Sequence, residues 1–180
     1  MKQSLTLFFL LLFSAACYAQ QQRPFDGIEY PFEVQYAELD NGQTIAYHER
    51  GSSDEVVVLI HGLGSYMPAW KMNIDTLSES YRVIALDLPG YGKSTKTAEN
   101  YTIPYFAESV TMLMDELNID KAAIAGHSMG GHIALYLAAT YPERATQLIL
   151  SAPAGFERFT DQDQMAFQAT VSAAGIAATP

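Results

Sequence analysis

The chain contains 180 residues, enough for one domain of ordinary size. Hydrophobic residues make up 49% of it and charged residues 17%, a composition that supplies a sizeable core and argues against global disorder. Acidic residues outnumber basic ones by 20 to 10, which gives a net charge of −10, and the sequence has no basic cluster. This balance argues against a nucleic-acid partner.

Residues 1–19 have the pattern of a secretory signal peptide. One positive charge, Lys2, precedes an apolar run over residues 5–13, and small residues then lead to a cleavage position after Ala19. The run is too short for a comfortable membrane span. We therefore expect export to the periplasm or the medium, with no stable membrane span after cleavage. Two alternatives are lipidation at Cys17, because the preceding residues weakly resemble a lipobox, and a buried N-terminal helix.

The rest of the chain predicts an α/β fold. After a leader at residues 20–32, the alternating runs 33–39 and 44–48 flank Asn41-Gly42, a strong hairpin signal. Buried strands are then predicted at residues 56–60, 83–86, 122–125 and 147–150, and helices at 70–80, 105–117, 129–141 and 156–174. The helix at 105–117 places Val110, Leu113, Met114 and Leu117 in one apolar stripe. Strands that alternate with helices indicate a mostly parallel sheet with helices on both faces. The predicted units are a partial core at 33–153 and the start of a cap, or lid, at 154–180.

The most specific chemical signal is the run Gly126-His127-Ser128-Met129-Gly130, which follows a predicted strand and opens a predicted helix. A serine at such a sharp turn takes a strained backbone conformation, and glycine at the flanking positions avoids collisions. Its hydroxyl is then exposed above the sheet edge, where it suits a nucleophile. The alternative is a glycine-rich turn with a bystander serine.

A second signal, His61-Gly62-Leu63-Gly64, directly follows the strand predicted at 56–60. An acyl-transfer site needs two N–H donors for the oxyanion, an oxyanion hole, and the backbone N–H groups of Leu63 and Met129 are the candidates. The imidazole of His61 is expected to be structural and to hydrogen-bond its own loop.

With the run 87–94, DLPGYGKS, these motifs resemble the α/β-hydrolase superfamily, nearest to its lipase, esterase and C–C hydrolase members, over residues 33–151. The resemblance implies Ser128 as the nucleophile on a nucleophile elbow, Leu63 and Met129 as oxyanion donors, and no cofactor or metal. Haloalkane dehalogenases and epoxide hydrolases are disfavoured, because they have aspartate where this chain has Ser128. Asp87 is expected to cap its own Pro-Gly turn rather than to act as a catalytic acid.

The family's catalytic acid and histidine follow later strands, and none of His48, His61, His127 and His132 matches that histidine. We therefore expect the N-terminal part of a longer enzyme. The expected activity is hydrolysis of small-molecule carboxylic esters, of the lipase or esterase type, through an acyl-enzyme on Ser128. The alternatives are C–C bond hydrolysis of a dienoate-like substrate, cofactor-free haloperoxidase activity, and a non-catalytic fragment or binding protein.

Overall fold

The computed structural model describes residues 27–96, 101–156, 160–162 and 165. The expected signal peptide and most of the helix predicted at 156–174 lie outside these residues. Six strands form one sheet with the order β1-β2-β4-β3-β5-β6. The strands are β1 Gln35–Glu38, β2 Thr44–Arg50, β3 Val56–Ile60, β4 Arg82–Leu86, β5 Ala122–His127 and β6 Ala145–Ser151. The helices are α1 Lys71–Leu77, α2 Ile103–Glu116 and α3 Met129–Thr140, and short 3-10 turns span Met67–Trp70 and Pro142–Arg144.

The sheet is mixed, as the sequence predicts. β1 pairs antiparallel with β2, and β2 pairs antiparallel with β4, whereas β4, β3, β5 and β6 are parallel to one another. In the hairpin turn, the N–H of Gly42 donates to the carbonyl of Leu39, and the N–H of Leu39 donates to the carbonyl of Gln43, both over 2.8 Å. The predicted hairpin and the predicted parallel strands are therefore confirmed.

Helices cover both faces of the sheet. α2 and α3 pack on the face that presents Ile60, Ile84 and Ile124, and the stripe predicted on α2 supplies the fully buried Val110, Leu113 and Met114. α1 packs on the opposite face, where its Ile74 meets Val57, Leu59, Val83 and Ala85. Within the described residues, no helix is long and apolar enough to cross a membrane.

Two boundaries differ from the sequence expectations. The helix expected at 70–80 is preceded by the 3-10 turn, since Pro68 suits a first-turn position where no N–H is needed, and it ends at Leu77. Ordered packing also begins before the predicted start of the core at Glu33. Tyr30 and Phe32, in the segment expected to be a loose leader, pack against the α1 face of the sheet.

The strand β6 forms one edge of the sheet, and most of its residues are exposed on both faces. Leu148 and Ile149 expose 37% and 48% of their surface, respectively. The two strands that carry the motifs, β3 and β5, are adjacent in the centre of the sheet. Because they are parallel, the loops that follow them meet at the same sheet edge.

Candidate active site

Ser128 lies between β5 and α3 with φ 53° and ψ −119°. Positive φ is uncommon for a residue other than glycine, and it costs conformational energy. Ser128 occupies the N-cap position of α3, where a serine hydroxyl ordinarily accepts a hydrogen bond from the first helical turn. It makes no such bond here. The strained backbone therefore keeps the hydroxyl out of the helix cap and leaves it available for chemistry.

The glycines that flank this turn are required by close packing. A Cβ atom at Gly126 would overlap the backbone of Gly130, and a Cβ atom at Gly130 would overlap the carbonyl of Ile60 in β3. Both obstacles are main-chain atoms, which cannot rotate away as a side chain can. The steric reason predicted for these two glycines is therefore confirmed.

Four backbone hydrogen bonds hold Ser128 in its strained conformation. Its N–H donates to the carbonyl of Ser151 over 3.0 Å, and its carbonyl accepts from the N–H groups of Gly131, His132 and Ala154. Ser151 and Ala154 belong to the end of β6 and the loop after it. The turn is thus fixed from both α3 and the neighbouring strand, which offsets the cost of its dihedral angles.

A cavity of about 300 Å³ opens beside Ser128. The structure brings the two predicted motifs together in its wall, because a Cβ atom at Gly62 would lie 3.1 Å from the Cβ of Ser128. The lining residues are His61, Gly62, Leu63, Ser65, Ala69, Trp70, Asn73, His127, Ser128 and Ser151. Sequence reasoning missed Trp70, Asn73 and Ser151. The position of Ser151 could have been expected, since parallel neighbours end at the same sheet edge.

The two candidate oxyanion donors are the backbone N–H groups of Leu63 and Met129. In the part of the chain that the structure describes, neither the N–H of Leu63 nor that of Met129 donates a hydrogen bond to the protein. Met129 is the first residue of α3, whose first N–H groups have no partner within the helix. The helix dipole adds positive potential at the same point. Both N–H groups therefore remain the candidate oxyanion donors, and Leu63 lines the cavity beside Ser128.

His61 is a structural residue, as the sequence predicts. The Nε2 atom of the ring accepts from the N–H of Leu88 over 3.1 Å, so Nδ1 carries the proton and donates to the carbonyl of Gly62 over 2.9 Å. Only 1% of His61 is exposed, and this burial lowers the pKa of its imidazole. The ring is neutral and holds the start of the loop that carries Leu63.

None of the four histidine rings hydrogen-bonds the Ser128 hydroxyl within the described residues. His48 bonds the carbonyl of Glu33 through Nδ1, far along the chain from the cavity. His127 is exposed next to Ser128, and His132 lies close to Gly155, where an added Cβ atom would come within 2.8 Å of its Nδ1. The structure therefore brings Ser128 and Leu63 to one cavity, and in the part of the chain that it describes no histidine ring bonds the Ser128 hydroxyl.

Asp87 is a buried turn carboxylate. Its Oδ2 accepts from the N–H of Lys93 over 2.8 Å across the Pro-Gly turn, which confirms the predicted capping role. It also accepts from the N–H of Met67 and from the hydroxyl of Tyr30, two contacts that the sequence did not predict. No group of three or more His, Cys, Asp or Glu side chains able to hold a metal occurs among the described residues.

The sequence model of the alpha/beta hydrolase fold family matches residues 55–174, well over half of the chain. The protein therefore belongs to that family, as the strand order, the flanking helices and the turn at Ser128 also indicate.

Three similar proteins illustrate the range of activities in this family. The chain is 40% identical over 122 residues to a protein of Cupriavidus necator, the dihydrolipoyllysine-residue acetyltransferase component of its acetoin cleaving system. The matched residues make up 68% of this chain and 32% of that protein. It is 39% identical over 116 residues to the 2-hydroxy-6-oxononadienedioate/2-hydroxy-6-oxononatrienedioate hydrolase of Escherichia coli, 61% of this chain and 40% of that one. The solved structure of a bacterial membrane phospholipase A matches with a TM-score of 0.69 and 32% identity, over 93% of this chain and 58% of that chain. The chain thus spans between about a third and three fifths of the length of these proteins.

Proposed function

We propose that this chain carries the nucleophile and the oxyanion donors of a serine hydrolase that cleaves carboxylic esters. The proposal rests on the backbone conformation of Ser128 and on the cavity beside its side chain. Its hydroxyl is released from helix capping by a positive φ and faces a cavity beside the Gly62 loop. That arrangement has a cost in backbone energy and no evident role in stability.

In the proposed reaction, the Oγ of Ser128 attacks the ester carbonyl as a base takes its proton. The carbonyl oxygen becomes an oxyanion, and the N–H groups of Leu63 and Met129 donate to it. Collapse of this intermediate expels the alcohol, which receives the proton, and leaves an acyl-enzyme. Water then attacks the acyl group, and the acid and free Ser128 are released. We propose that the base and its orienting acid lie outside these 180 residues.

Similar proteins support ester cleavage and also favour a second candidate. A phospholipase A cleaves carboxylic ester bonds, and the one reported above matches most of this chain. The Escherichia coli relative instead hydrolyses an oxo-dienedioate, which favours C–C bond hydrolysis as the alternative. Both reactions place the same demands on a nucleophile and an oxyanion site, so the residues named above serve either one.

The test is to replace Ser128 in the complete gene product. We expect Ser128→Ala to abolish hydrolysis of p-nitrophenyl acetate, because no other hydroxyl occupies the turn. Ser151→Ala is the matched control, since its hydroxyl lines the same cavity while its backbone carbonyl alone bonds Ser128. Activity of Ser128→Ala equal to that of the control would exclude Ser128 as the nucleophile. Serine-dependent cleavage of the oxo-dienedioate without ester cleavage would establish the second candidate.

A further inference from the structure

Residues 29–34 cross the face of the sheet that α1 covers, and we call them the strap. Phe32 stacks on His48 of β2 with ring centroids 4.4 Å apart. Tyr30 contacts Tyr66 edge to face, with centroids 5.6 Å apart. Tyr66 belongs to loop 61–67, which also carries Leu63. The strap therefore contacts the loop that holds one of the proposed oxyanion donors.

The hydroxyl of Tyr30 donates to Oδ2 of Asp87 over 2.6 Å. Asp87 is fully buried, and the positive charge of Lys96 acts on it electrostatically. Its carboxylate is compensated by three donors, namely this hydroxyl and the N–H groups of Lys93 and Met67. Burial and the bond to Asp87 raise the pKa of the Tyr30 hydroxyl far above its ordinary value, so it remains a donor. The stability of a buried carboxylate falls when any one of its hydrogen-bond donors is removed.

Asp87 connects this hydroxyl to both ends of the loop. Its Oδ1 accepts from the N–H of Met67, the last residue of the loop, over 2.7 Å. The next residue, Leu88, donates its N–H to the ring of His61, the first residue of the loop. Leu63 lies between these two anchors, with a side chain that is 62% exposed and therefore provides little packing. The conformation of the loop thus depends on where Asp87 is held.

We propose that Tyr30 is a positioning residue that acts through Asp87 to fix loop 61–67 and the N–H of Leu63, an inference that rests on the proposed function. Without the Tyr30 hydroxyl, the carboxylate of Asp87 lacks one donor and shifts to recover it, which loosens its hold on Met67. An oxyanion donor acts on charge that develops in the transition state. Its misplacement therefore lowers kcat and leaves KM nearly unchanged.

The first measurement is the kinetics of Tyr30→Phe in the complete gene product with p-nitrophenyl acetate. We expect kcat to fall about ten- to a hundredfold, less than the loss of about 10²–10³ that follows deletion of a direct donor. We expect KM to change by less than about twofold, since ground-state binding is intact. Phenylboronic acid should bind more weakly by the same factor as kcat falls, because its tetrahedral adduct on Ser128 uses the same donors.

Tyr47→Phe is the matched control. Tyr47 is buried in β2, and its hydroxyl forms no hydrogen bond with the protein in the described ranges. The Tyr30→Phe and Tyr47→Phe variants are also compared with the parent by amide hydrogen exchange. In Tyr30→Phe, we expect the Met67 amide to exchange at least about tenfold faster, while the core amide of Ile124 exchanges as in the parent.

Two results would overturn the inference. One is a Met67 amide that exchanges equally in Tyr30→Phe and Tyr47→Phe. The other is faster exchange without any fall in kcat relative to the control. If the parent protein shows no Ser128-dependent turnover, the proposed function fails on its own, and the exchange of Met67 still decides whether Tyr30 holds the loop.

Discussion

The N–H of Ala154 donates a hydrogen bond of 3.0 Å to the carbonyl of Ser128, so the loop after β6 is attached to the turn that carries the proposed nucleophile. Ala152, in the same loop, has a φ of 42°, a second left-handed residue that is not glycine. Two residues with positive φ, one directly after β5 and one directly after β6, are thus held together by the bonds between their loops. The turn at Ser128 is consequently a property of the β5–β6 pair and not of the G-x-S-x-G sequence alone.

The packing of Gly130 against β3 predicts a large loss of stability in Gly130→Ala. The added methyl group overlaps the carbonyl of Ile60, and β3 cannot move away because it is hydrogen-bonded on both sides. We expect the free energy of unfolding, measured with urea, to fall by about 3 kcal/mol or more. Gly27→Ala is the control, since a Cβ atom there meets nothing within 4 Å. Equal urea midpoints for the two variants would contradict the steric argument.

The buried His61 predicts a loss of stability in weak acid. Burial lowers the pKa of His61 in the folded state below its ordinary value of 6.5. As the pH falls below about 6.5, the unfolded chain binds a proton that the folded chain does not. The free energy of unfolding therefore falls, by at most about 1.4 kcal/mol per pH unit, until the folded-state pKa is reached.

Urea unfolding between pH 7 and pH 5 measures this slope. His61→Gln cannot titrate and should show a shallower slope than the parent, whatever its absolute stability. The explanation is wrong if His61→Gln and the parent lose stability equally over this pH range.

Residues 20–180 alone are expected to show negligible ester turnover. A serine hydroxyl is a weak nucleophile without a base, and no histidine ring bonds Ser128 within the described residues. Loss of the base from a serine triad costs on the order of a million-fold in rate. The assay compares the purified segment with its Ser128→Ala variant. Serine-dependent turnover of about 1–1,000 per second would contradict this prediction and would indicate His127 or His132 as the base.

The signal peptide expected at residues 1–19 predicts a defined N-terminus. In a Gram-negative host, the chain should lose residues 1–19 and begin at Gln20, because small residues occupy positions −3 and −1 of that cleavage position. Mass spectrometry of the mature protein measures this directly. A diacylglyceryl group on Cys17 would instead establish the lipoprotein alternative, and an intact Met1 would exclude both.

Local patterns in the sequence predict most of the fold. The Asn41-Gly42 turn, the apolar stripe of α2 and the glycines around Ser128 each follow from one short segment, and each is found where it is expected. The bond between Tyr30 and Asp87 joins residues 57 positions apart and leaves no periodic signal. The positive φ of Ala152 could not be predicted either, because alanine, unlike glycine, gives no sequence signal for a left-handed conformation.

The central position of β3 and β5 also governs when the site comes into existence during folding. In this sheet Ile60 pairs with Gly126, 66 positions later in the chain, so the Gly62 loop and Ser128 meet only after the chain between them has been enclosed. Contacts at such separation form late and cooperatively, because chain entropy is lost before they are gained. Local fraying at β1 leaves this central pair intact, whereas opening of β6 removes the bond from the N–H of Ser128 to the carbonyl of Ser151. We therefore expect the geometry at Ser128 to form late in folding and to be lost when β5 separates from β3 or from β6.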